Sequence, residues 1–135
     1  MSTPTVLFVC LHGAAKSVLA AAHFQRLADQ RGLGMRADFA GTEPDPVIAP
    51  RVLQELRTEG IDLGARRPSR VTPDAMARAW RVVSFGCDLE GVAPGARIVR
   101  WDDVPAVSED YDTARAAIDA RLARLLNEYQ MEVTT

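Results

Sequence analysis

The sequence predicts an α/β fold, a parallel β-sheet covered by helices on both faces. Short apolar runs alternate along the chain with stretches of helical periodicity. The first run, Val6-Leu7-Phe8-Val9, is continuously apolar rather than alternating with polar residues. That pattern marks a strand buried on both faces. No internal repeat, low-complexity tract or linker breaks the alternation. At 135 residues the chain reads as one domain, 1–135, long enough to bury a core.

Taken in order, the first strand ends at Cys10, and a helical pattern runs from Ser17 to Arg31 with Gly32 as its stop. Leu19, His23 and Leu27 form one row of that helix, and Ala20, Phe24 and Ala28 the next. His23 therefore reads as a packed structural histidine. Met35 to Ala40 is a second strand, and Gly41-Thr42-Glu43-Pro44-Asp45-Pro46 is a turn-rich loop. Pro50 opens a helix striped by Val52, Leu53 and Leu56 and ended by Gly60. The arginines of 66–70 read as a solvated loop. Thr72-Pro73-Asp74 carries N-cap chemistry for a short helix to about Trp80. Val82–Phe85 is a third strand and Arg97–Trp101 a fourth. A last helix bears the apolar row Tyr111, Ala114, Ile118, Leu122, Leu125 and Tyr129.

Ligands of such sheets bind beyond the carboxyl ends of the strands, at the point where strand order reverses. Cys10, Thr42, Cys87 and Trp101–Asp103 all fall at or just past those ends and are expected to converge on one crevice. The first connection is the most informative. A strand, a small-residue loop and a helix start make an anion cradle, with backbone N–H groups turned inward and the helix dipole favouring negative charge. Cys10 stands at its mouth, where such surroundings favour the nucleophilic thiolate. The cradle comprises Leu11, His12, Gly13, Ala14, Ala15, Lys16 and Ser17. Lys16 is the sole lysine beside fifteen arginines, which suggests that a compact ammonium is wanted there.

Composition excludes several functions. A net charge of −2 gives no general attraction to nucleic acid or to an anionic membrane. No apolar run has the length of a membrane span, and the N-terminus lacks a basic segment followed by an apolar one. A cytoplasmic location is expected. Two cysteines far apart in sequence suit free thiols rather than a disulfide framework. No cofactor and no metal site is expected.

Cys10-Leu11-His12-Gly13-Ala14-Ala15-Lys16-Ser17 resembles the Cys-x5-Arg-Ser loop of the low-molecular-weight protein tyrosine phosphatases and their arsenate-reductase relatives. Lys16 takes the place of the loop arginine, and Gly13 that of an asparagine that braces the loop. Ala40-Gly41-Thr42, Glu59–Leu63 with Arg66-Arg67, Val82–Cys87 and Trp101–Ala106 are similar to further family segments, in the same order. The resemblance spans roughly Val6 to Leu126. It implies a three-layer, flavodoxin-like, four-stranded parallel sheet.

It also implies chemistry. Cys10 would attack phosphorus or arsenic and form a covalent thiol adduct. Loop amides and Lys16 would hold the oxyanion, and the Ser17 hydroxyl would stabilise the thiolate. Asp103, one residue further from Pro105 than the family's Asp-Pro pair would have it, is preferred over Asp102 as general acid. Cys87 is either a second, resolving thiol or a structural residue, and His12 either a ligand-loop group or an exposed one. Three functions follow: a phosphomonoesterase of reduced efficiency, an arsenate reductase using external thiols, or a non-catalytic oxyanion-binding protein. The implied partners are phosphate or arsenate, a phosphorylated protein, and a thiol reductant if the chain is a reductase.

Overall fold

A computed structural model describes residues 3–89, 91–93 and 95–133. Four strands, β1 (Thr5–Cys10), β2 (Arg36–Gly41), β3 (Arg81–Ser84) and β4 (Ile98–Arg100), form one sheet in the order β2-β1-β3-β4. Every pairing is parallel. The helices are α1 (Lys16–Gln30), α2 (Pro50–Thr58), α3 (Pro73–Arg78) and α4 (Tyr111–Val133). The three-layer, four-stranded α/β architecture expected from the sequence is the one observed.

β1 lies inside the sheet between β2 and β3, and its continuous apolar run suits a strand covered on both faces. Val6, Phe8 and Val9 are fully buried, and Leu7 nearly so. Its register pairs Cys10 with Gly41 on one side and Val9 with Ser84 on the other. The chain crosses from β1 outward to β2, then back over β1 to β3, so strand order reverses beside β1. That reversal leaves a crevice at the carboxyl end of β1, where the Cys10 loop lies.

Alternation along β1 divides the core. Phe8 faces α1 and α4, meeting Phe24 at 5.8 Å and Trp101 at 6.0 Å between ring centroids. Leu7 and Val9 face the other layer with Met76, Val82 and Leu89. The row predicted for the last helix is the one buried, with Ile118 and Leu122 at zero exposure. Tyr129, half-buried, sets its ring edge-on to Trp80 at 5.1 Å. Thr72 caps α3 by accepting from the Ala75 amide, with Pro73 in the first turn. His23 is buried on α1 beside Glu59, Arg26 and Arg115, as a structural histidine should be. The arginine segment is less free than expected. Arg66 pairs with Asp38 and stacks over Phe39, and Arg70 donates to the Thr42 carbonyl.

Candidate active site

The site grows from two glycines. Gly13 has φ +60°, and a Cβ on it would lie 2.7 Å from Gly41 N and 2.8 Å from the Ala40 carbonyl carbon. A Cβ on Gly41 would in turn lie 2.7 Å from Gly13 N. The loop after β1 and the end of β2 thus touch backbone to backbone, which only paired glycines permit. Here the loop is braced main chain against main chain.

Three hydrogen bonds fasten the loop from outside. Glu43 N donates to Leu11 O at 2.8 Å, Asp45 N to His12 O at 3.0 Å, and Ala49 N to Ala14 O at 3.0 Å. The loop's carbonyls are therefore engaged by the segment that follows β2. Among the described residues, the amides of His12 to Ala15 donate to no backbone carbonyl. α1 begins at Lys16 with Ala15 at its N-cap and no side-chain cap. Its first-turn amides are left for an external acceptor. Unused amides and an uncapped helix start on the same side of a loop form a nest suited to an oxyanion.

Cys10 and Ser17 meet across this loop, Sγ to Oγ at 3.0 Å, with Ser17 fully buried. The hydroxyl is fixed by the first turn of α1 and the thiol by the last residue of β1. Lys16 reaches the opposite wall and donates from Nζ to Val104 O at 2.9 Å. The lone lysine thus ties the loop to the β4–α4 connection. Cys10, Leu11, His12, Ala14, Ala15 and Lys16 line a cleft of about 480 Å³, completed by Asp45, Ala49, Arg51, Phe85, Ala106, Val107 and Ser108. A larger groove of about 1060 Å³ runs between α1 and the outer edge of β2. It holds neither cysteine.

Other expected site residues lie differently. Asp103 is not among the residues lining the cleft. Its carboxylate takes two bonds from Arg121 Nη2, at 2.6 and 2.7 Å, and that guanidinium holds it below the ordinary carboxylate range. Asp102 is paired with Arg100. Before Pro105, Val104 is buried and offers its carbonyl to Lys16, while both aspartates are exposed. Of the residues expected to gather beside Cys10, Thr42 and Cys87 lie near it, close enough for the two thiols to act on each other, while Asp102 and Asp103 turn to other partners. Trp101 is a core residue against Phe8 and Phe85. Thr42 is held at Leu11 O.

Cys87 is buried with Leu7, Val9 and Leu89, in the layer across the sheet from the cluster that contains Cys10. The turn that carries it is closed by Ser84, whose Oγ donates to Cys87 O and accepts from Cys87 N. Burial raises the Cys87 thiol above its ordinary pKa, and Cys10 raises it further. Both cysteines are free.

Sequence reasoning left out Asp45 and Arg51. Asp45 Oδ1 lies 3.2 Å from His12 Nδ1, and Arg51 stacks over Tyr111 at 4.8 Å. Asp45 sits between two prolines in a segment with every sign of a plain turn. Only the bonds from that turn to the Cys10 loop bring it to the cleft.

A buried thiol on the floor of an amide-lined loop, on a sheet of order β2-β1-β3-β4, defines a class of α/β proteins whose first connection is an oxyanion nest. Residues 5–90 match the family model described as low molecular weight phosphotyrosine protein phosphatase. The chain belongs to that family. It is 28% identical over 134 residues to the "Putative arsenate reductase" of Halobacterium salinarum, covering 95% of this chain and 94% of the other. Among solved structures, YfkJ from Bacillus subtilis superposes with TM-score 0.86 at 24% identity, covering 98% of both chains. The thioredoxin-dependent arsenate reductase of Corynebacterium glutamicum gives TM-score 0.77 at 27% identity, over 96% of this chain and 63% of that one.

Proposed function

We propose that the protein hydrolyses phosphomonoesters through a covalent intermediate on Cys10. One observation carries this reading: the Cys10 thiol lies 3.0 Å from a buried hydroxyl, on the floor of a loop whose amides are otherwise unused. The thiolate attacks phosphorus, the ester oxygen leaves, and water then displaces the thiol to release phosphate. Loop amides hold the equatorial oxygens as charge develops on them. Ser17 donates to the thiolate. Lys16 contributes a point charge rather than the two-pronged contact of an arginine. By comparison with loss of one transition-state donor, that difference costs about 3 kcal/mol, or roughly 10² to 10³ in rate. A slow phosphatase is the expected result.

Arsenate reduction is the second reading, favoured by the 28% identical relative and by the presence of a second thiol. It would require Cys87, or a thiol from solution, to attack the Cys10 adduct. The burial and raised pKa of Cys87 weigh against the internal route. The chain holds no third cysteine to continue a relay. Pure oxyanion binding leaves the Cys10–Ser17 contact without a purpose.

Purified protein should hydrolyse 4-nitrophenyl phosphate, and Cys10→Ser should abolish that turnover. Arsenate reduction with glutathione or a thioredoxin system, without phosphatase activity, would put the second reading first. Tight phosphate binding with neither activity would leave the binder.

A further inference from the structure

The two-step reaction needs a group to protonate the leaving oxygen, and we propose that His12, oriented by Asp45, is that proton donor. The proposal rests on the phosphatase reading above. It does not use the aspartates beside Pro105, which are held elsewhere by Arg121 and Arg100.

His12 Nδ1 lies 3.2 Å from the Glu43 carbonyl oxygen and 3.2 Å from Asp45 Oδ1. A carbonyl only accepts, so Nδ1 carries its hydrogen in either charge state of the ring. The proton that can be given up is therefore the one on Nε2. Among the described residues Nε2 has no partner, and the ring, about half exposed, forms part of the rim of the cleft that contains Cys10. Asp45 is held in place by its own backbone, whose amide donates to His12 O. Donor and orienting carboxylate are thus fastened to each other twice, once by main chain and once by side chain.

The other charged groups of the cleft do not compete. Lys16 donates to Val104 O while its charge serves the oxyanion, and Arg51 pairs with Glu55. Ser108 offers a hydroxyl, which is too weak an acid for the task.

In the first step the Cys10 thiolate forms a bond to phosphorus and the phosphorus–oxygen ester bond breaks. Its electron pair stays on the leaving oxygen, which takes the Nε2 proton and departs as an alcohol. His12 is left neutral, with Nδ1–H still directed at Asp45 and Glu43 O. In the second step Nε2 takes a proton from the attacking water, the sulfur–phosphorus bond breaks, and thiolate and phosphate are regenerated. The sum is ester plus water giving alcohol plus phosphate. His12 is a catalytic residue on this account, and Asp45 a positioning residue.

The test compares two substrates on the intact protein. 4-Nitrophenolate leaves readily without a proton, whereas phenolate from phenyl phosphate needs one. His12→Gln should lower kcat/KM for phenyl phosphate by about 10² or more, the usual worth of a positioned acid. The loss on 4-nitrophenyl phosphate should be no more than a few-fold. Asp45→Asn should shift the same ratio in the same direction by less, which a purely structural role at the loop would not do. Equal losses on both substrates in His12→Gln would overturn the proposal. So would a selective loss in Asp103→Asn with none in His12→Gln. Wild-type protein that hydrolyses neither ester overturns the phosphatase reading itself, and this inference with it.

Discussion

Ser17 is fully buried in the first turn of α1, and its Oγ lies 3.0 Å from Cys10 Sγ. Replacing it with alanine removes one hydroxyl and leaves the helix intact, since alanine is the stronger helix former. The hydrogen bond it makes is to a group that carries charge as nucleophile and again as leaving group. Hydrogen bonds to charged groups contribute about 1.5–3 kcal/mol. At about 1.36 kcal/mol per tenfold in rate, Ser17→Ala should slow turnover roughly 10- to 150-fold. The loss should fall on the second step, because the thiolate must depart from phosphorus without its donor. Rapid mixing with 4-nitrophenyl phosphate should then show a burst of about one equivalent of nitrophenolate followed by a slow phase. Iodoacetate should also alkylate Cys10 more slowly in the variant at neutral pH. A kcat within twofold of wild type, with no burst, would refute the role assigned to this contact.

Lys16→Arg should raise aryl phosphate turnover by about tenfold or more, since a planar fork can grip two equatorial oxygens where an ammonium meets one. No gain would mean that the tether to Val104 O matters more than the charge. Gly13→Ala should destabilise the fold by at least about 2 kcal/mol, combining the left-handed φ penalty with overpacking against Gly41 and Ala40. An unchanged urea midpoint would show that the loop can step away from β2. His23 is nine-tenths or more buried, and burial, then Arg115, lower its pKa from the usual 6.5. The unfolded chain therefore binds more protons below about pH 6.5, so stability is full above that value and falls as pH drops through it. His23→Gln should flatten the slope of the urea midpoint between pH 7 and 5, and an unaltered slope would assign the acid sensitivity to other groups.

Much of this protein is decided locally, and so is visible in the sequence. Val6–Val9 is a buried strand because four consecutive apolar residues leave no face for water. The spacing of Tyr111, Ala114, Ile118, Leu122 and Leu125 places them on one side of α4 whatever that helix packs against. Thr72-Pro73 starts α3 by chemistry confined to a single turn. Cys10 and Ser17 come together because a loop of fixed length joins a strand to a helix, and they stand seven positions apart. Other features depend on contacts between segments remote in sequence. Asp103 belongs to Arg121, eighteen residues further along, because the fold brings that guanidinium of α4 within reach of its carboxylate. Gly13 and Gly41 make sense only together, across 28 residues, as two backbones with no room for a Cβ between them. Asp45 joins the site because amide-to-carbonyl bonds, which carry no residue signature, fasten its loop to that of Cys10. Strand and helix follow from periodicity. The direction of a charged side chain leaving a loop is set by whichever distant partner the fold brings within reach.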